Sequence, residues 1–318
     1  MGNQWDAQFA RVNAQAVGVG AVHLELGAWS AFPDERRDEI VASDGLSEFV
    51  RLDYDPRYAL DLVGDAQRLP LKDASVDRIR ADSVLEHLAY PHAVIEECFR
   101  VLRPGGWLHI VTPWVFTLHG HPGDFMRYST NFYDLICSRA GFEHVSADSN
   151  ATSGLYYTLH NSAKTAVVKA TGPEAAALRA VHLAVIALLG ALVPFDSSFE
   201  DPQNWATTVQ VLAVKPGRFV PSRRPAPDRR PFAVRSLELL ACPACRGALR
   251  RDARAMQCHE CKERYPVVRD VPLLVPMPYL SPLRRIARRI RHPRQSIHRM
   301  PIFPPPPRGY PDQATRPS

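Results

Sequence analysis

The sequence has little that marks a secreted or membrane-spanning protein. Its first residues are polar where a secretory signal has a charged start and an apolar core. Residues 180–195 form an uncharged, strongly apolar run of 16 residues. As a helix it would reach about 24 Å, short of the roughly 30 Å hydrocarbon core. We therefore expect a cytoplasmic protein in which this run is either a buried core helix or an interfacial helix.

Cysteine is also scarce, with six residues in 318. Two of them, Cys98 and Cys137, stand singly among apolar residues, and the other four form two CxxC pairs. In a reducing compartment this spacing argues against disulfides and indicates a metal site.

Acidic residues become rare toward the C-terminus. From Gly217 onward there are 22 Lys+Arg against 7 Asp+Glu, whereas the preceding residues have 17 against 26. Such asymmetry indicates an acidic globular part and a basic part that contacts an anionic surface, either nucleic acid or membrane. A soluble basic tail is the alternative.

Short apolar runs alternate with helical stretches from Val22 to Pro113, which is the pattern of a parallel sheet with crossover helices. The sequence therefore predicts an α/β fold with a Rossmann-like, doubly wound and mostly parallel sheet. Two later runs supply further strands. The predicted strands lie near residues 21–26, 49–53, 61–64, 76–81, 107–112, 142–148 and 207–214.

The chain divides by composition into two folded units and two extended segments. The main unit is predicted over 1–216, with a helical insertion near 150–205. A linker rich in proline and arginine follows at 217–235. A compact cysteine-containing domain is predicted over 236–278, and a basic, proline-rich tail over 279–318.

The stretch "VHLELGAWSAF" (22–32) enters a ligand-binding loop but lacks two of the glycines expected there. A methyl donor such as S-adenosylmethionine carries no phosphate, so its loop needs only close backbone approach, which Gly27 permits because it has no Cβ. Glu25 could take the donor's ammonium. An acidic residue at the end of the second strand should accept hydrogen bonds from the ribose hydroxyls. We assign this role to Asp53, with Asp44 as the competitor.

Three further motifs are "VGDAQRLPLKDASVDRI" (63–79), "SVLEHL" (83–88) and "VLRPGGWLHIVTP" (101–113), in which Pro-Gly-Gly is expected to form the turn before the fifth strand. Together they resemble the class I S-adenosylmethionine-dependent methyltransferases of the type 11 group, over roughly residues 20–130.

The resemblance implies roles for particular residues on the cofactor side. Asp65 would bond the adenine amino group, the Ala66 backbone would bond the ring, and Ser83 would lie beside the sulfonium. Glu86 and His87 open the next helix, and we interpret them as structural.

The fifth strand leads into "PWVFTLHGHPGDFMRYST" (113–130), which the topology brings close to the methyl donor. A histidine, whose pKa is ordinarily about 6.5, is suited to taking the acceptor's proton. His119 or His121 is the candidate base, and Arg127 could fix an anionic or hydroxyl-rich acceptor. Two alternatives stay open: an HxH…D metal site that polarises the acceptor, and a loop that these side chains only order.

Two CxxC pairs twelve residues apart lie in "CPACRGALRRDARAMQCHEC". Four thiolates at this spacing can close a tetrahedral Zn²⁺ site with no open position, so the zinc would be structural. The predicted ligands are Cys242, Cys245, Cys258 and Cys261.

The flanking stretches "LELLACPACRGAL" and "ERYPVVRDVPLLVP" resemble the small zinc-ribbon activator subunit shared by several tRNA, ribosomal RNA and protein methyltransferases. In that family a glycine usually precedes the final Ile-Pro. Here the glycine is absent, and Asp270 is followed directly by Val271. The resemblance implies an apolar surface that binds the catalytic domain and keeps it soluble. Here the ribbon would dock in cis.

The leading hypothesis is a methyltransferase that uses S-adenosylmethionine to methylate an oxygen or nitrogen of a small-molecule or glycan-type acceptor. One alternative is an RNA methyltransferase whose basic C-terminal region holds phosphates. Another is a catalytically silent binding or scaffold protein, because Trp29 and Ser30 stand where the family has further glycines.

The tail segment "SPLRRIARRIRHPRQ" (281–295) places three apolar residues at helical spacing among arginines. A basic amphipathic helix of this kind favours peripheral contact with the anionic inner face of the membrane, and nucleic acid is the weaker alternative. The apolar run 180–195 would add a second anchor.

Overall fold

The computed structural model describes residues 21–27, 46–56, 60–119, 123–149, 154–168, 175–198, 206–220, 231–252 and 254–275. The predictions made for Trp29, Ser30, Asp44, His121 and the tail concern residues outside this described part of the chain.

The main unit is built on seven strands whose spatial order is β6-β7-β5-β4-β1-β2-β3. The strands β1 to β5 run parallel, and β7 is antiparallel to both of its neighbours. This confirms the predicted mostly parallel, Rossmann-like sheet. The strands are β1 (Ala21–Leu26), β2 (Leu46–Asp53), β3 (Leu62–Gly64), β4 (Val76–Asp82), β5 (Leu102–Pro113), β6 (His144–Asp148) and β7 (Thr208–Val214).

Local sequence explains where the helices begin and end. α1 starts with Pro91 at its first position, where a missing N–H costs nothing. α2 is capped by Ser129, whose hydroxyl accepts from the Phe132 N–H at 3.3 Å, and stops at Gly141, whose φ is +104°. The helices are α1 (Pro91–Val101), α2 (Thr130–Ala140), α3 (Leu155–Val168), α4 (Ala175–Leu192) and α5 (Phe232–Arg235), with a 3-10 helix at Leu85–His87.

The Pro-Gly-Gly sequence lies inside β5 and not in a turn before it. The register between β4 and β5 shifts between Val76 and Arg78, so the extra residues form an irregularity within the strand. Gly105 adopts a φ of +75° there, and an added Cβ would lie 2.3 Å from the Phe219 backbone nitrogen. Strand pairing resumes with Trp107 opposite Arg78.

The apolar run 180–195 lies mostly within α4 and is largely exposed. Of the window Arg179–Asp196, only 6% is buried, so the alternative of a buried core helix is wrong. Val181 and Leu188 are both 62% exposed. The helix is long and apolar enough to cross a membrane by length and composition, which on its own is weak evidence for a span.

The cysteine-containing domain extends the same sheet. Its last strand, β11 (Val271–Leu274), pairs in parallel with β3, placing Leu273 opposite Val63 and Leu274 opposite Gly64. The three other strands follow outward, which gives a sheet of eleven strands. They are β8 (Leu249–Arg251), β9 (Ala255–Cys258) and β10 (Arg264–Val268).

Polar contacts reinforce this docking in cis. The buried Glu48 on β2 accepts from the Arg235 guanidinium and, at 2.7 Å, from the Ser236 hydroxyl. The Lys72 N–H also donates to the Leu239 carbonyl at 2.9 Å. The ribbon therefore covers the β3 edge, which would otherwise expose unpaired backbone groups.

Candidate functional site

The loop that leaves β1 is tied to the neighbouring strand at Gly27. Its N–H donates to the Leu52 carbonyl at 2.9 Å, and its φ is +70°, which glycine adopts without strain. An added Cβ would lie 2.2 Å from Cγ2 of Val84. The missing side chain at Gly27 therefore makes room for another part of the chain, in addition to the ligand contact that the sequence predicts.

Asp53 ends β2 at the same edge of the sheet. Its half-buried carboxylate accepts from the Asp55 N–H at 2.9 Å, which orients the group beside the end of the strand. Glu25, two residues before Gly27, is buried within β1, and its Oε2 lies 3.2 Å from Nε2 of His23. The structure thus gives Glu25 a partner on its own strand.

Asp65 and Ala66 follow β3, and Ser83 follows β4. Oδ1 of Asp65 accepts from the backbone N–H and the side-chain amide of Gln67, at 2.9 and 3.2 Å. Burial raises the pKa of the Asp65 carboxyl above its usual value. Ala66 is buried, whereas Ser83 is exposed, with a φ of +56°, and its hydroxyl donates to Asp82 at 3.1 Å.

These residues share the carboxyl ends of four neighbouring strands. In open α/β sheets a ligand binds in the crevice outside this edge. The edge carries a loop with a glycine, Gly27, and the oriented carboxylates of Asp53 and Asp65. This suits a polar ligand with several hydroxyl and amino groups. These hydrogen-bond acceptors therefore fit the ribose and base of a nucleoside cofactor.

A second group of side chains lies beyond the ends of β4 and β5. The 3-10 helix at Leu85–His87 and the segment 123–128 are joined by three hydrogen bonds. The Phe125 N–H donates to the Glu86 carbonyl at 2.7 Å, the Tyr128 hydroxyl donates to the Leu85 carbonyl at 3.0 Å, and Nδ1 of His87 lies 2.5 Å from the Gly123 carbonyl.

Glu86 is fully buried within this group. Neither of its carboxylate oxygens has a hydrogen-bond partner among the described residues. Among the described residues, the basic atoms within 4.0 Å of this carboxylate are Nε2 of His87 at 3.7 Å and Nε2 of His119 at 4.0 Å. Burial raises the pKa of the Glu86 carboxyl to about 7, because the charged form loses its hydration there.

His119 is held from behind by Asp124. Nδ1 of His119 lies 3.3 Å from Oδ2 of Asp124, which also accepts the His119 backbone N–H at 3.0 Å. Arg127 donates to both oxygens of Asp124, and this hydrogen bonding lowers the pKa of that carboxyl to about 2. Arg127 is thus engaged with Asp124 and orders the loop.

Sequence reasoning set Glu86 and His87 aside as structural, whereas the structure brings them together with His119. No local spacing joins residues 86–87 to residue 119. The available signal was an acidic and a basic residue placed directly after a strand that ends at the ligand-binding edge.

The four cysteines of the ribbon form a compact cluster in which every Sγ lies within 4.8 Å of the others. The Sγ atoms of Cys242 and Cys261 are 3.6 Å apart, and those of Cys245 and Cys258 are 3.4 Å apart. Thiolates around a tetrahedral zinc stand about 3.8 Å from each other, given a Zn–S bond of about 2.3 Å. The cluster therefore fits the predicted structural zinc.

Comparison with known families supports both assignments. Residues 16–110 match the family described as "Methyltransferase domain", and residues 234–270 match "Trm112p-like protein". The chain therefore contains an S-adenosylmethionine-dependent methyltransferase domain and a C-terminal Trm112p-like zinc ribbon, as the sequence predicts.

Curated relatives match only parts of this chain. A malonyl-[acyl-carrier protein] O-methyltransferase of Methylococcus capsulatus is 35% identical over 97 residues, which are 30% of this chain and 35% of the relative. An uncharacterized 37.1 kDa protein in a transposon of Streptomyces fradiae is 35% identical over 44% of this chain and 39% of its own length. The chain spans between a fifth and about half of the length of the curated relatives it matches.

Solved structures also align with the chain. One belongs to a complex that contains the Haloferax volcanii Trm112 methyltransferase activator, with 22% identity, a TM-score of 0.42 and coverage of 67% of this chain and 90% of the other. Another is a SAM-dependent methyltransferase from Archaeoglobus fulgidus, with 14% identity, a TM-score of 0.41 and coverage of 66% and 93%.

Proposed function

We propose that this chain is an S-adenosylmethionine-dependent methyltransferase that methylates an oxygen or nitrogen of a small-molecule or glycan-type acceptor. The observation that carries the proposal is the ligand-binding edge of the methyltransferase domain. There Gly27 follows β1, Asp53 ends β2 and Asp65 follows β3, and these three strands are neighbours in the sheet. Two oriented carboxylates at that edge match the hydroxyl and amino groups of a nucleoside.

The proposed cofactor contacts divide along the edge. Asp53 would accept from the ribose hydroxyls, Asp65 would accept from the adenine amino group through Oδ2, and the Ala66 backbone would contact the ring. Glu25 would attract the donor's ammonium from within β1, and Ser83 would lie next to the sulfonium. The bound cofactor supplies an electrophilic methyl group.

On the acceptor side, we assign the proton-accepting role to His119, with His121 as the alternative. Asp124 fixes the orientation of the His119 ring, which is the usual arrangement of a histidine base. The relatives named as O-methyltransferases favour an oxygen acceptor over nitrogen.

The test is transfer of a labelled methyl group from S-adenosylmethionine into a fractionated cell extract by the full chain. We expect label in a low-molecular-weight or glycan fraction, and His119→Ala should reduce its incorporation. Label confined to RNA would instead establish the RNA methyltransferase alternative. Cofactor binding without transfer to any fraction would establish the silent binding protein.

Peripheral contact with an anionic membrane is a separate part of the proposal. The exposed apolar residues of α4, which include Val181, Leu183 and Leu188, support it. The full chain should cosediment with anionic liposomes and less with neutral ones, because basic residues add attraction to anionic lipid. Salt-sensitive RNA binding without liposome binding would contradict the membrane contact.

A further inference from the structure

Three side chains of the acceptor side converge on one point. A carboxylate oxygen of Glu86, a ring nitrogen of His87 and a ring nitrogen of His119 all lie within 4.8 Å of one another. We call these three residues the histidine cluster. Glu86 is fully buried, and among the described residues its two oxygens have no hydrogen-bond partner. A buried carboxylate without a partner is costly and indicates a missing cation or donor.

The tautomers of both histidines follow from their neighbours. Nδ1 of His87 faces the Gly123 carbonyl at 2.5 Å, and a carbonyl oxygen can only accept, so Nδ1 carries the proton. Its Nε2 then carries no proton and presents a lone pair, and this atom lies 3.7 Å from Oε1 of Glu86.

His119 repeats this arrangement. Its Nδ1 faces the Thr117 carbonyl at 3.1 Å and Oδ2 of Asp124 at 3.3 Å, both of which accept a proton. Its Nε2 therefore also carries no proton and presents a lone pair, and it lies 4.0 Å from the same oxygen of Glu86. Three electron-pair donors thus face one another with no proton fixed between them.

From this geometry we propose that Glu86, His87 and His119 bind a divalent transition-metal ion through one carboxylate oxygen and two Nε2 atoms. Ligand atoms about 2.0–2.2 Å from such an ion lie about 3–3.6 Å apart, so small side-chain movements bring the three into range. Two imidazoles and one carboxylate suit zinc, iron, cobalt or manganese, and three protein ligands leave coordination positions open.

The surroundings have the form that orients metal ligands. A ligating histidine usually donates its other N–H to a carboxylate or a backbone carbonyl, which fixes the ring. The Gly123 carbonyl accepts from Nδ1 of His87, and the Thr117 carbonyl and the Asp124 carboxylate accept from Nδ1 of His119. Asp124 is committed to Arg127 and His119, so it is a positioning residue and not a ligand. The set therefore differs from the HxH…D pattern considered from the sequence.

An open metal position would narrow the acceptor class, and this step rests on the proposed function. A hydroxyl bound to the ion has a lowered pKa and loses its proton to solvent. Its oxygen then forms the bond to the methyl carbon as the carbon–sulfur bond breaks and S-adenosylhomocysteine leaves. The acceptor would be a metal-binding hydroxyl compound. With the ion bound, Nε2 of His119 is a metal ligand, which replaces the base role assigned to His119 above and leaves the rest of the proposed function unchanged.

The test is Mn²⁺ titration of the full chain after dialysis against a chelator that leaves the ribbon zinc in place, followed by electron paramagnetic resonance of free Mn²⁺. We expect one Mn²⁺ per chain. Glu86→Gln and His119→Ala should each weaken binding by more than about tenfold, because ligands matter at least as much as their supporting groups. Glu96→Gln and His92→Ala make the same changes on α1, outside the cluster, and should bind like the wild type.

A second measurement keeps the test independent of folding defects. Without metal at pH 8, Glu86→Gln should melt at a higher temperature than the wild type, because it buries no charge. Added Co²⁺ should raise the melting temperature of the wild type but not of Glu86→Gln, and it should give the wild type weak visible absorption bands without thiolate charge-transfer bands. Absence of Mn²⁺ and Co²⁺ binding at millimolar concentration, or equal binding in all variants, would overturn the site. These measurements need no S-adenosylmethionine, so they test the metal site even if the chain fails to bind the cofactor.

Discussion

The cysteine cluster of the ribbon and the histidine cluster of the methyltransferase domain are two ways of gathering metal ligands. The cysteines come from two short CxxC turns, and their thiolates surround a point with four ligands. The histidine cluster joins a 3-10 helix after β4 to a loop after β5, and it supplies three ligands. The first arrangement closes a structural site, whereas the second leaves positions open for another molecule.

The two clusters should respond differently to loss of a ligand, and the cysteine cluster should show the largest effect. Structural zinc contributes about 10–16 kcal/mol in small zinc domains, so Cys242→Ser with Cys261→Ser should eliminate zinc and unfold the ribbon. Elemental analysis and the soluble fraction after heating measure this. Cys137→Ala removes a thiol outside the cluster and should keep one zinc per chain; full zinc content in the double variant would refute the assignment.

The ribbon also depends on its docking to β2. Among the described residues, Arg235→Ala would leave the buried Glu48 carboxylate with the Ser236 hydroxyl as its one side-chain partner, which should destabilise the chain by about 3–5 kcal/mol. Arg264→Ala removes an exposed ion pair with Asp252 and should cost about 0–1 kcal/mol. Chemical denaturation compares the two. Equal losses would show that the ribbon does not rely on this contact.

Gly27 tests how tightly the cofactor edge is packed against β4. Gly27→Val should destabilise the protein by about 1–3 kcal/mol from overpacking against Val84 and by about 1–2 kcal/mol from its positive φ. Cofactor binding should be abolished. Replacing Val84 by Ala in a Gly27→Ala background should restore part of the stability. Normal cofactor binding by Gly27→Val would contradict this explanation of the loop.

Asp124 should give the smallest effect and the sharpest contrast between the clusters. Asp124→Asn should weaken Mn²⁺ binding by about 10–100-fold, since it only orients His119. The zinc content should stay unchanged. Metal titration and elemental analysis on the same sample measure both, and a loss of zinc would show that the two clusters are not independent.

The same contrast explains what sequence could predict. All seven strands of the main unit and the four cysteines were located because buried runs and CxxC spacing are local patterns. The end of β2 at Asp53 followed from the length needed for the crossover. Zinc followed from the CxxC spacing, and the cofactor class followed from the residues at the strand ends together with the resemblance to the type 11 methyltransferases.

Other features depend on contacts between distant segments. The pairing of β11 with β3, the meeting of Glu86 with His119 and the exposure of α4 each depend on tertiary packing. A single sequence carries no local pattern for them. The irregular register inside β5 was also missed, because Pro-Gly-Gly has the composition of a turn.

The central claim is that the carboxyl edge of β1, β2 and β3 holds S-adenosylmethionine. Calorimetric titration of the full chain tests it directly, with Asp53→Ala and Asp134→Ala as a matched pair, since Asp134 is exposed on α2. We expect one cofactor per chain, with binding weakened only in Asp53→Ala. Two charge-assisted hydrogen bonds are lost there, each worth about 1.5–3 kcal/mol. No measurable binding by the wild type, or equal affinities in the two variants, would contradict the account.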